Sequence, residues 1–146
     1  MFKTILSNLH LEKIFWIIKS KLKFMILGAL IMAILAGALA PALIKYINKS
    51  RRSADISNAD TIRTACQTAM SDEDAMVAIG TGVTGASVSD LKSSYGAFST
   101  EISSILGNST ITSKYFDKGN EFTVDINVAG NTVIVKAGSQ QVSPQP

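Results

Sequence analysis

The sequence predicts an α+β protein built on one long N-terminal helix. Three observations carry that prediction. The run from Phe24 to Ile44 is 21 residues without a charge, and a bilayer core of about 30 Å needs about 20 such residues in a helix. From Lys45 to Met70 the chain turns polar but keeps an apolar stripe at helical spacing: Ile56, Ala59, Ile62, Cys66, Ala69 and Met70. Near the C-terminus the period changes to two, where Phe122, Val124, Ile126 and Val128 alternate with polar residues. The expected architecture is a membrane-spanning spine helix whose upper half packs against a small antiparallel sheet and a second helix.

Residues 1–23 read as a basic amphipathic segment for the membrane interface. Apolar residues recur from Phe2 to Leu22 at helical spacing, with Trp16 and several lysines among them. His10 is the single histidine, and one ligand makes no metal site. Residues 24–44 are the predicted span. Lys13, Lys19, Lys21 and Lys23 precede it, and Lys45, Lys49, Arg51 and Arg52 follow it. Such clusters meet lipid headgroups, but the two counts tie, so charge does not orient the span. Only Tyr46 interleaves an aromatic with the basic cluster Lys45–Arg52 that follows Ile44, which argues against nucleic-acid binding. A secretory signal peptide competes for residues 1–40: Ala36-Gly37-Ala38 and Ala38-Leu39-Ala40 both resemble cleavage sites. Cleavage after Ala40 would leave Pro41 next, and a signal peptide does not account for the helical pattern running on through Lys45–Met70.

Inside the span, Pro41 removes one backbone hydrogen bond, a loss tolerated in membrane helices. Gly28 and Gly37, with Ala29, Ala33, Ala36, Ala38 and Ala40, offer small surfaces on which helices approach closely in lipid. Cys66 is the single cysteine. That excludes an internal disulfide and leaves a small core residue or a disulfide to a second subunit.

Residues 45–138 form the predicted head, which includes the upper spine helix. Ser71-Asp72-Glu73-Asp74 is read as the end or last turn of that helix, without the ligand spacing of a calcium loop. Gly80 to Ser89 reads as a loop from its Gly, Ser and Thr content. A second helix follows, with Leu91, Tyr95, Phe98, Ile102 and Ile105 on one face, a capping box at Ser87 and Asp90, and an end at Gly107-Asn108. A short strand is placed around Thr110–Thr112 and a turn at Asp117-Lys118-Gly119-Asn120. Gly130-Asn131 is read as a two-residue hairpin turn, pairing Ala129 with Thr132, Val128 with Val133 and Ile126 with Val135. The predicted head core is Ile62, Cys66, Val124, Ile126, Val133 and Val135. Residues 139–146 are expected to be a loose tail.

The stretch Ala33–Ala65, AILAGALAPALIKYINKSRRSADISNADTIRTA, resembles the spine helix of type IV pilins and their type II secretion relatives. Those proteins show a small-and-apolar run ending in Pro, then a Tyr and a Lys/Arg-rich stretch entering an amphipathic half. Pro41, Tyr46 and Lys49–Arg52 keep that order. The family's Gly before the processed terminus and its Glu five residues into the mature chain fall, counting back from Pro41, on Lys19 and Phe24. Losing both is self-consistent, since a carboxylate without its partner amine is costly in lipid. The resemblance thus implies a pilin-like protein not processed in the usual way. It implies a structural subunit or membrane-anchored accessory of a bacterial type IV pilus, competence or type II secretion assembly. Membrane lipids and other pilin-like subunits or a polytopic platform would be its partners. It also implies a cytoplasmic N-terminus and a head outside the cell, in a membrane or a surface filament. Phe24, Gly28, Gly37, Pro41 and Tyr46 would serve membrane anchoring and assembly. The other reading is a tethered or secreted binding module, working through loops at Gly80–Ser89 or Ser109–Asn120. No Ser/His/Asp set, paired buried carboxylates, phosphate loop or cofactor motif points to an enzyme; the glycines of Gly80–Gly85 follow no predicted strand.

Overall fold

The computed structural model describes residues 2–145, with side chains from residue 13 onward. The apolar pattern from Phe2 to Leu11 and His10 therefore lie outside the described side chains. One helix, α1, runs Phe2–Ala69 and contains Pro41. After it come α2 (Glu73–Ile79), β1 (Gly82–Ser87), α3 (Val88–Leu91), α4 (Ala97–Leu106), β2 (Thr123–Asn127), β3 (Thr132–Ala137) and β4 (Gln140–Ser143). The fold class is α+β, as the sequence predicts. The chain divides into two compact units, Met1–Tyr46 and Ile47–Pro146.

In the second unit the upper part of α1 buries Ala59, Ile62, Ala65, Cys66 and Ala69. Their spacing of three and four residues puts them on one face of the helix. They share a core with Leu91 and Val88 of α3, Phe98 and Ile102 of α4, and Phe122, Val124, Ile126, Val133, Val135 and Val142 of the sheet region. The sheet is antiparallel throughout, in the order β1-β2-β3-β4. Burial alternates along β3, from Val133 to Val135 to Ala137, so one face meets the core and the other meets solvent.

Several elements differ from the sequence expectation. The acidic run neither ends α1 nor extends it. The Asp72 carboxylate accepts from the Ala75 N–H at 2.9 Å and starts α2, with Glu73 and Asp74 in its first turn, where the helix dipole favours anions. Gly80–Ser89 is no loop, because Gly82–Ser87 forms the edge strand β1. The expected second helix is two helices. The capping box at Ser87 and Asp90 is present, but the backbone stops at Leu91, Gly96 takes φ +56°, and the Tyr95 N–H turns to Ser99 Oγ at 2.8 Å. A left-handed glycine breaks the helix that the apolar spacing alone would continue. Leu91, Phe98 and Ile102 are still buried, Tyr95 is half-buried and Ile105 is exposed. Around Thr112 there is a single bridge to Glu121 rather than a strand.

The hairpin register is shifted from the expected one. Val124 faces Val135 and Ile126 faces Val133, joined by the four residues Val128–Asn131. The Asn127 side chain accepts from the Gly130 N–H at 3.0 Å, and Asn131 takes φ +47°. A shift of two residues keeps every side chain on its face, so the apolar pattern was compatible with either register. The expected loose tail contains β4, in which Val142 and Ser143 are buried. Four polar or small residues gave no periodic signal for an edge strand.

Gly82 shows how closely β1 meets β2. Its φ is +119°, and an added Cβ would lie 2.0 Å from the Ile126 carbonyl oxygen. We expect Gly82→Ala to destabilise the head by about 2–4 kcal/mol, from strain plus a backbone clash. Thermal unfolding of the detergent-solubilised chain, followed by near-ultraviolet circular dichroism, measures it. Gly85→Ala, at a position with open space around it, is the milder control.

Candidate functional site

Two features of the chain go beyond a packed core. The first is the apolar stretch of α1. Its best window has a mean hydropathy of 2.4 with none of it buried, so the helix is long and apolar enough to cross a membrane. Phe24 is 73 % exposed, and Leu27, Leu30, Ile31, Leu35 and Leu39 are exposed beside it. Pro41 does not end the helix. Trp16 and Tyr46 stand exposed on either side of the run, and Lys19 Nζ lies 4.5 Å from the centre of the Phe15 ring. Aromatic and cationic residues in that pattern suit a headgroup layer. A Cβ added at Gly28 or Gly37 would meet nothing within 4 Å. With about 100° per residue, Ala29, Ala33, Ala36 and Ala40 fall on one face of the helix. Gly37 sits at the rim of that face, and Gly28 lies to its other side. The small residues are therefore a narrower strip than the full expected set.

The second feature is a carboxylate clamp in the head. Asp55 sits at the start of the buried stripe, four residues before Ala59, and is 0 % exposed. Its carboxylate accepts from Ser113 Oγ at 2.6 Å and from the N–H groups of Lys114, Tyr115 and Phe116 at 2.8, 2.8 and 3.2 Å. Ser113 Oγ in turn accepts from the Asp117 N–H at 2.9 Å. A buried carboxylate is tolerable only when its oxygens are saturated in this way. Burial pushes the Asp55 carboxyl pKa up, but the bonds from Ser113 and the three backbone N–H groups outweigh it and hold the group below its ordinary value. The Ser109–Asn120 segment, one of the two loops weighed as a binding surface, is thereby fixed to α1. Asp60 makes a second tie, accepting from Ser143 of β4. On the sheet, burial likewise raises the Asp125 carboxyl, and the ion pair with Lys136 and the Gly85 N–H more than offset it.

The predicted head residues Ile62, Cys66, Val124, Ile126, Val133 and Val135 are all buried. The Cys66 thiol is pushed up to about 12 by burial. Within this chain Cys66 packs as a small residue of the core. Asp55 escaped the sequence reading, although its signal was visible: Asp55, Ala59, Ile62, Cys66 and Ala69 step by four, three, four and three. A charge on that line marks a saturated acceptor or a break in the stripe. An open groove of ≈ 520 Å³ runs along α1, where Ser53, Ser57, Thr61, Thr64 and Thr68 recur and Ile105 of α4 closes one side. No family model, no curated protein and no solved structure matches the chain.

The lowered folded-state pKa of Asp55 sets a pH dependence. Its contribution to stability is complete above the unfolded aspartate pKa of about 4 and is lost as pH falls through the lower folded value. Asp55→Asn should cost about 3 kcal/mol at neutral pH, because the amide NH2 replaces one of the two acceptor oxygens and faces a backbone N–H donor, while the other bonds lose their charged acceptor. The variant should also flatten the acid limb of stability against pH. Unfolding of wild type and variant between neutral pH and about pH 2 checks both expectations.

Proposed function

We propose that this protein is a single-pass, membrane-anchored structural subunit with a small α+β head. In this reading Phe24–Ile44 lies in the bilayer, with the N-terminus in the cytoplasm and the head outside the cell. The span is the docking element of a pilin-like assembly of the type IV pilus, competence or type II secretion kind. It meets other pilin-like subunits or a polytopic platform protein, either in the membrane or in a surface filament. One observation carries the reading: α1 exposes apolar side chains over the span and buries its stripe in the head, and both belong to one helix. The order of Pro41, Tyr46 and the basic stretch supports the pilin likeness. Lys19 and Phe24, standing where that family has its Gly and Glu, support a chain that keeps its N-terminal segment.

A packing role in lipid requires side-chain shape, whereas a tether requires only hydrophobicity. Replacing residues 24–44 by polyleucine separates the two. The protein should stay in the membrane yet lose about tenfold or more of its recovery in crosslinked complexes with its own copies or a platform protein. Unchanged crosslinking would leave Phe24–Ile44 a plain tether and make the head a binding module.

A further inference from the structure

Lys114, Tyr115 and Lys118 belong to the loop that Asp55 fixes, about sixty residues along the chain from the basic stretch after the span. Asp55 brings them to that stretch. Arg52 lies three residues before Asp55, one helical turn, and its guanidinium carbon is 5.9 Å from the centre of the Phe116 ring. Lys114 follows Ser113 directly, and the loop closes on itself through the Gly119 N–H to the Ser113 carbonyl at 2.9 Å. Lys49, Arg51 and Arg52 from α1 and Lys114 and Lys118 from the loop are all exposed. Tyr115 stands among them, 38 % exposed, with its ring edge-on to Phe116.

The acidic groups of the neighbourhood are occupied. Asp55 is buried and saturated by its four donors. Asp117 is half-buried, accepts from Asn120 Nδ2 at 2.9 Å, and has its other oxygen toward Gly138. Five exposed cations against the two carboxylates of Asp55 and Asp117 leave the surface net cationic, with an exposed phenol in it. In the sequence, seven residues lie between Ile44 and Arg52.

We infer that the Lys114–Lys118 loop is a second membrane contact, which lays Lys114, Lys118 and the Tyr115 ring on anionic phospholipid headgroups beside Lys49, Arg51 and Arg52. The inference rests on the reading of Phe24–Ile44 as a span. Charge complementarity selects the occupant: lysine and arginine draw to anionic lipid, and tyrosine suits the layer between hydrocarbon and water. Asp55 acts as a positioning residue, because its four bonds set the loop beside the basic turn of α1.

The full-length wild-type chain tests this in proteoliposomes of phosphatidylcholine alone or with about one third phosphatidylglycerol. A neutral acetylating reagent and mass spectrometry read the reactivity of each lysine. In the anionic vesicles Lys114 and Lys118 should react about threefold or more slowly, and high salt of about 0.5 M should restore them. Lys136, paired with Asp125, should react alike in both. Asp55→Asn should erase the lipid effect at Lys114 and Lys118 while leaving it at Lys49. Equally fast reaction in both vesicle types would place the loop in water, and equally slow reaction would place another protein surface on it; either result overturns the inference. Resistance of the same vesicles to alkaline extraction reports separately on the span, so a failure of the loop contact is distinguishable from a failure of the anchor.

Discussion

The structure depends on one constraint, which is that α1 carries two different side-chain surfaces on one repeating backbone. Apart from the carbonyl that Pro41 frees, the peptide groups inside the helix are paired within it, so its side chains decide which surroundings suit it. Between residues 24 and 44 those side chains are apolar all round and exposed. From Asp55 to Ala69 they narrow to a single stripe that is buried against α3, α4 and the sheet. An isolated hairpin such as β2–β3 is marginal in water. It becomes a stable sheet because that stripe covers its apolar face and because β1 and β4 flank it.

The polar ties decide which arrangement of this core is reached. Asp55 gathers a hydroxyl and three backbone N–H groups that a loop would otherwise leave unpaired. Asp60 does the same for β4 through Ser143, and Asp125 holds the irregular β1 edge through Gly85. Each links segments far apart in sequence. Hydrophobic burial is indifferent to small slips of these segments, whereas a carboxylate aimed at fixed donors is not.

The two periods in the sequence made the spine helix and the hairpin legible, and with them the six named core residues. Features set by local backbone chemistry were harder to read. Gly96 splits a helix whose apolar spacing is unbroken, and Gly82 serves an edge strand whose composition is that of a loop. The four-residue turn at Val128–Asn131 depends on the Asn127 side chain, and a two-residue shift leaves the alternation unchanged. Strand β4 has too few residues to show a pattern. Asp55 was the clearest missed signal, since a carboxylate on a buried stripe demands partners that only the tertiary fold supplies. The basic turn at Lys49–Arg52 was plain in the sequence, while its neighbours Lys114 and Lys118 became visible only through the clamp.

The central claim is that α1 holds its first half in lipid and its second half in a folded head. Alkaline carbonate extraction of membranes containing the full-length chain, with intact-mass analysis of the pellet, tests it most directly. The account predicts a protein that stays with the lipid after extraction, dissolves only in detergent, and retains the Phe24–Ile44 segment in its mass. A chain recovered in the aqueous phase as a folded monomer, with or without that segment, would contradict it.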